Sequence, residues 1–260
     1  MVRLVVVGGG GMGEALLAGL IASGWAQAGD LAVTELDADR RRVLEGRFPD
    51  THVAAEVPGR GRRAGREAGH APVPAAIAAA GVARVLSIAA GVTLASLEHA
   101  LGPGPVVVRA KPNTPALVGT GAAAIAAGTA ADEADLVWAE ALLGAVGEVV
   151  RVPEGLLDAV TGLSGSGPAY VFLVAEALID AGVLVGLPRS VSSRLVLQTL
   201  LGAARMLVAS DDGPEALRAA VTSPAGTTAA GLRALEGAGV RAAFLEAVSA
   251  ATERSRQLGS

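Results

Sequence analysis

Gly8, Gly10 and Gly13 form a Gly-x-Gly-x-x-Gly run that follows directly on the apolar stretch Arg3 to Val7. That spacing suits a bound pyrophosphate. Gly8 would make the tight turn, Gly10 would let bare backbone approach the phosphates, and Gly13 would allow the following helix to pack closely on the strand. Gly11 and Met12 complete the loop. Leu16, Leu17, Leu20 and Ile21 recur at helical spacing, predicting a helix from Glu14 to Ser23 whose positive N-terminus faces the phosphates. Leu31 to Glu35 then reads as a second strand ending in an acid, where a carboxylate can accept the ribose hydroxyls of an adenosine. The pattern predicts a dinucleotide site on Gly8, Gly10, Gly11, Met12, Gly13 and Glu35. Glu35 repels a 2′-phosphate, whereas Arg40, Arg41 and Arg42 could hold one, so NADP and NAD both stay open, with a lean to NAD being accepted.

Other chemistries find little support. The chain has no cysteine, which excludes disulfides, thiolate metal sites and a cysteine nucleophile. His52, His70 and His99 stand far apart, and no metal site is expected. Ser164-Gly165-Ser166-Gly167 lacks the Gly-x-Ser-x-Gly spacing of a nucleophile elbow; it reads as a tight helix entry with Ser166 as cap and Pro168 in the first turn. Asn113-Thr114-Pro115 reads as a turn after a strand's carboxyl end, where open α/β sheets bind ligands. Ser223-Pro224-Ala225-Gly226-Thr227-Thr228 offers a turn running into a helix N-terminus, either an anion site or an ordinary helix cap.

These residues need a scaffold, and the 260-residue chain, 52% hydrophobic and 18% charged, can bury a sizeable core. Strands are expected at Val82 to Ala90, Pro105 to Arg109, Thr120 to Ala127 and Gly147 to Val152, with helices at Thr93 to Leu101 and Asp132 to Leu143. The alternation predicts an α/β, Rossmann-type doubly wound domain over 1–152. From 153 to 260 every segment reads as helix: Leu156 to Leu163, Ser166 to Val185, Arg189 to Ala209, Pro214 to Val221, Thr227 to Glu236 and Arg241 to Leu258. The helix containing Tyr170, Val171, Leu173, Val174 and Leu178 is apolar on more faces than a surface helix needs, and a second subunit would cover it. A net charge of −4 and few aromatics argue against nucleic acid. Pro112 to Ala131 is uncharged but carries Asn113, Thr114 and Pro115, which disfavours a membrane span, and the N-terminus runs into glycines instead of a cleavage site. A cytoplasmic protein is expected.

Arg109 to Gly119, Gly162 to Tyr170 and Ser223 to Thr228, joined by Ser87 to Thr93 and Gly186 to Arg189, resemble pyrroline-5-carboxylate reductases along nearly the whole chain. The resemblance implies a Rossmann domain, an all-α dimerisation domain forming a homodimer or larger assembly, and hydride transfer from NAD(P)H to 1-pyrroline-5-carboxylate, giving L-proline. It further implies that Thr228 bonds the ring nitrogen, that Ser223, Gly226 and Thr227 surround the carboxylate, that Ser166 and Gly167 border the substrate, and that Asn113 and Pro115 border the cofactor.

Two departures stand out. Lys111 replaces the family's usual Met, bringing a charge near the cofactor cleft. Where the family has a buried parallel strand ending in Ala-Val-Lys-Pro, this chain has Pro58 to His70 with its run of Arg and Gly, which no central strand can bury. Read one nucleotide later, codons allowed for Arg63 to His70 spell Val-Leu-Ala-Val-Lys-Pro-Gly, so a pair of compensating frameshifts or sequencing errors bounding roughly Pro58 to Pro72 is expected, the alternative being a solvated basic loop peculiar to this chain. Two alternatives accompany the reductase: a folded but inactive dinucleotide-binding dimer, and a two-domain hydroxy-acid dehydrogenase. The latter would want a lysine on the helix Ser166 to Val185, which has none.

Overall fold

The computed structural model describes residues 2–57 and 73–259, so the proposed frameshift interval, Pro58 to Pro72, lies outside the described residues. The chain divides into two compact units, Met1–Ser166 with Ala251–Ser260, and Gly167–Ala250.

In the first unit, β1 (Leu4–Val7), β2 (Leu31–Thr34) and β3 (His52–Ala54) form a parallel sheet in the order β1-β2-β3. Helices α1 (Gly11–Ala22) and α2 (Ala38–Arg47) connect its strands. After α3 (Val73–Ala80), a second sheet runs β4 (Arg84–Ser87), β5 (Val106–Lys111), β6 (Gly121–Ala127), β7 (Gly147–Arg151), with β6 antiparallel to β5 and the other pairs parallel. Among the described residues, no strand pairing joins β1 to β4. Side chains join the sheets instead: Leu17 and Leu20 of α1, Leu31 and Val33 of β2, and Leu86 of β4 share one apolar cluster.

Alternation explains how the second sheet is buried on both faces. Val108, Ala110, Ala123 and Ile125 enter a cluster with α1 and α5 (Glu133–Gly144), while Val107, Ala124 and Ala126 enter one with α4 (Leu94–Leu101) and α6 (Leu157–Val160). A reciprocal capping box starts α5, in which the Asp135 N–H donates to Asp132 Oδ1 and the Asp132 N–H donates to Asp135 Oδ2. The Asp132 N–H first, and then the Arg84 guanidinium (2.6 Å), hold the Asp135 carboxyl below the usual aspartate range.

The predicted helix break before Ser166 is absent. A π-helical turn, Thr161–Gly165, carries the backbone from α6 into α7 (Gly167–Leu184), and Ser166 itself is right-handed helical. The Ser166 N–H donates to Thr161 O (2.9 Å), so the residue closes the π turn and leads straight into α7. The compact units therefore divide at Ser166/Gly167, beyond the change of texture at Pro153, because α6 packs on β5 and β6.

The second unit is helical: all of α7, α8 (Arg189–Ala209), α9 (Pro214–Ala220), α10 (Thr227–Gly237) and the start of α11 (Val240–Leu258). Helices α7 and α8 meet where Gly182 leaves room for Ser192, whose hydroxyl donates to Ile179 O (2.8 Å); a Cβ at Gly182 would overlap that hydroxyl. Between 167 and 250 only Ala175 and Ser192 are buried. Phe172, Leu173, Leu184, Leu195 and Val208 are exposed, far more apolar surface than a lone soluble unit shows. By length and composition, the helical run Glu154–Leu184 and α8 would each be able to cross a membrane.

Candidate active site

The glycine loop has the shape that a dinucleotide requires. Gly8 follows β1 at φ +96°, a left-handed conformation that side chains resist. A Cβ at Gly13 would lie well under 3.0 Å from the Gly8 carbonyl oxygen, so α1 approaches β1 as closely as it does only because Gly13 is bare. Gly10 is the N-cap of α1, and a Cβ there would meet no protein atom within 4 Å. Free space thus lies over the unsatisfied N–H groups of the first turn, where Gly11 and Met12 sit. These residues fit a pyrophosphate.

Glu35 lies just past β2 and is held by two backbone donors. Its carboxylate accepts the Gly9 N–H (2.9 Å) and the Asp37 N–H (3.0 Å), so it braces the glycine loop and the turn into α2. The three arginines beyond it are all engaged. Arg40 donates to Gly9 O (2.7 Å) and pairs with Glu14; Arg41 donates to the carbonyls of Glu35 and Leu36 (2.7 Å each); Arg42 pairs with Asp39. Glu14 also pairs with Arg47, and its side chain is buried in the first turn of α1. This Glu14–Arg40–Arg47 group fixes α1 against α2. Sequence reasoning missed it because the partners lie far apart along the chain and carry no local signature.

A cavity of about 530 Å³ opens at the carboxyl ends of β4 and β5, lined wholly by residues of the first unit, among them Ala89, Ala90, Gly91, Lys111, Ser166 and Arg254. This is the end of an open α/β sheet at which ligands bind. Asn113, next to it along the chain, is buried and internally spent: its amide donates to Ser164 O (3.0 Å) and its Oδ1 accepts the Ala122 N–H (2.8 Å). The side chain therefore brackets the π-turn to β6, and Pro115 lies in the short 3-10 turn that follows. Glu154, also unforeseen, caps α4 through the Leu94 N–H (2.6 Å) and pairs with Arg109 (2.8 Å).

In the second unit, Ser223 to Thr228 form a turn into α10. Ala225 is left-handed at φ +56°, and a Cβ at Gly226 would overlap Ser223 Oγ. The N-cap is Gly226, and no side chain caps α10. The first N–H groups of the helix are therefore open, and Ser223, Thr227 and Thr228 are exposed. Gly167 opens α7 in the same unit. Among the described residues no cluster of three His, Asp or Glu could hold a metal ion.

Comparison with known proteins identifies the family. Residues 154–258 match the family model described as pyrroline-5-carboxylate reductase dimerisation. A pyrroline-5-carboxylate reductase of Synechocystis sp. is 44% identical, over 99% of this chain and 98% of its own length. The chain belongs to the pyrroline-5-carboxylate reductase family. The reductase of Mycobacterium tuberculosis strain H37Rv is 43% identical over 99% of this chain and 97% of its own length. Among solved structures, the pyrroline-5-carboxylate reductase from Coxiella burnetii superposes with a TM-score of 0.84 at 31% identity, covering 98% of each chain. The Plasmodium falciparum pyrroline carboxylate reductase with NADP bound gives 0.77 at 28% identity, covering 98% of this chain and 99% of that one. Membership of this family makes the chain an oxidoreductase with an N-terminal Rossmann-type region and a helical dimerisation region. It also accounts for the exposed apolar faces of α7 and α8 as surfaces for self-association.

Proposed function

We infer that the protein reduces 1-pyrroline-5-carboxylate to L-proline with a reduced nicotinamide dinucleotide, and works as a dimer or an assembly of dimers. The single observation that carries the reading is near-full-length identity of 44% to a pyrroline-5-carboxylate reductase, joined to a glycine loop with open space over Gly10. The bound dinucleotide would supply the hydride, which is why the protein needs no thiol, metal or histidine pair for the chemistry.

The chain's own residues bind and orient. The N–H groups at the start of α1 hold the pyrophosphate, with Gly8, Gly10, Gly11, Met12 and Gly13 as the cradle. Glu35 takes the adenosine ribose and Asn113 and Pro115 shape the nicotinamide end. Ser223, Gly226 and Thr227 receive the substrate carboxylate on the open N-terminus of α10. Thr228 donates its hydroxyl to the ring nitrogen, and Ser166 and Gly167 border the substrate. The lack of a side-chain cap on α10 supports a ligand there over a plain cap.

Glu35 also bears on cofactor choice. A carboxylate at the ribose would repel a 2′-phosphate, and Arg40, Arg41 and Arg42 are engaged with protein groups, so NADH is accepted. Burying α7 and α8 in a protein partner, not in a bilayer, fits a soluble enzyme of the cytoplasm. The test is oxidation of NADH or NADPH with 1-pyrroline-5-carboxylate. Turnover supports the reading; turnover of a hydroxy or keto acid instead, or cofactor binding without turnover, refutes it.

A further inference from the structure

A dinucleotide held by the glycine loop has to rest its second half somewhere. In a fold of this kind that half lies beyond the carboxyl ends of the strands on the far side of β1 from β2. Those strands are β4 and β5, at whose ends the cavity of about 530 Å³ opens. Packing ties the two places together: Met12 of the loop and Ile88, just past β4, pack on one apolar cluster, which Leu16 of α1 and Ala110 of β5 share. All of these residues belong to the first unit.

The cavity has an unbalanced charge. Arg109, Lys111 and Arg254 line it, and among the described residues no acidic side chain does. Arg109 is answered by Glu154 (2.8 Å). Arg254 donates to Gln257 (3.2 Å), and among the described residues neither Lys111 nor Arg254 forms an ion pair. Lys111 ends β5, paired with Ala124 of β6, so its backbone stands at the ligand-binding edge of the sheet. Its stem passes the π-turn at Gly165, where an added Cβ would lie 3.2 Å from Lys111 Cε, and the bare glycine leaves room for it. The other walls include Ala89, Ala90 and Leu157, whose low dielectric strengthens the field of the ammonium.

The two oxidation states of a nicotinamide dinucleotide differ in charge at the ring alone. The oxidised ring is a cation and the reduced ring is neutral, while phosphates and riboses are the same in both. An ammonium near the ring therefore acts on one state and spares the other, whereas the methionine usual at this position has no charge with which to do so.

We propose that Lys111 selects the oxidation state of the cofactor: its ammonium repels the cationic oxidised nicotinamide and leaves the neutral reduced ring unopposed, so that the enzyme loads the hydride donor and sheds the spent cofactor. The proposal rests on the dinucleotide part of the reductase reading. Arg254 adds to the same positive potential from another wall of the cavity.

The test is calorimetric titration of the unaltered enzyme, Lys111→Met and Lys111→Arg with NADH, NAD⁺ and ADP-ribose, which lacks the nicotinamide. The ratio of the Kd for NAD⁺ to that for NADH should fall about tenfold in Lys111→Met, through tighter binding of NAD⁺, and Lys111→Arg should keep the parent ratio. A unit charge about 12 Å from the ring at an effective dielectric of about 20 suffices for a tenfold effect. ADP-ribose should bind all three proteins alike. An unmoved ratio would overturn the proposal, because a structural role, or a contact with a phosphate, changes both oxidation states together. A loss shared by ADP-ribose would overturn it too. If the unaltered chain binds the dinucleotides but does not turn over 1-pyrroline-5-carboxylate, the reductase reading falls, and the ratio still decides the role of Lys111.

Discussion

Gly13 and Gly10 belong to one loop, yet the structure assigns them opposite consequences when each gains a side chain. A Cβ at Gly13 falls well inside contact of the Gly8 carbonyl, a backbone atom that cannot rotate away, and 3.2 Å from Val6 Cγ1. Relief requires α1 to retreat from β1 by about 1 Å, an overpacking strain of about 1–3 kcal/mol. At about 2–4 °C for each kcal/mol, Gly13→Ala should unfold measurably earlier in a thermal melt and should also bind dinucleotide poorly. A side chain at Gly10 meets no protein atom, and its backbone (φ −65°, ψ −176°) suits any residue. Gly10→Val should therefore keep the parent melting temperature to within about 1 kcal/mol of stability, the size of an N-cap change, yet weaken NADH binding about 100-fold or more because the side chain occupies the phosphate space. Thermal melts and fluorescence titration with NADH on both variants decide the matter. A stable Gly13→Ala would refute the packing argument. Unaltered NADH affinity in Gly10→Val would remove that glycine from the site.

Other outcomes follow from the same geometry. Thr228→Ala should lower kcat about 10- to 100-fold with a smaller change in KM, since its hydrogen bond strengthens as the ring nitrogen becomes an amine; steady-state kinetics at the parent rate would leave the hydroxyl without a role. Glu35→Gln keeps an acceptor for the Gly9 N–H and removes the charge, so the NADPH/NADH ratio of kcat/KM should rise about fivefold or more, and an unmoved ratio would mean that Glu35 only braces the loop. Asp135 has a carboxyl pKa lowered by folding, so its stabilising contribution is present above the ordinary aspartate value of about 3.9 and disappears as the pH falls through the lower folded value. Melting temperature measured from pH 6 down to about pH 3 should drop less steeply in Asp135→Asn than in the parent, and parallel curves would refute that contribution.

The sequence made the main elements legible wherever a single period decided them. The helix with Leu16, Leu17 and Leu20, the apolar run Val106–Val108, and the six helical segments after Pro153 lie within a few residues of where periodicity puts them. The π-turn Thr161–Gly165 was not legible, because one extra residue in a helical turn leaves the local apolar pattern intact while rotating everything after it. Ser166 looked like a cap because Ser before Gly-Pro usually is one, but backbone continuity from α6 overrode the local preference. Asn113 read as a turn residue, which it is, yet its bonds to Ser164 and Ala122 bring together three segments that no spacing rule connects. Glu14 with Arg40 and Arg47 was hidden for the same reason.

The two sheets of the first unit bear on its breathing motions. Each carries its own ladder of hydrogen bonds, and among the described residues only side chains such as Leu17, Leu86 and Trp138 hold them side by side. In the free protein the amides of β2 and of β5 can thus exchange with solvent through separate openings, each with its own free energy. On the proposed site, a dinucleotide reaching from Gly10 and Glu35 at one ladder to Asn113 and Pro115 just past the other binds only when both are closed. It then acts as a crossbeam. At 100 times its Kd it would add the same increment, about 2.7 kcal/mol, to the protection of both ladders, so that strands exchanging independently in the apoprotein exchange together in the complex.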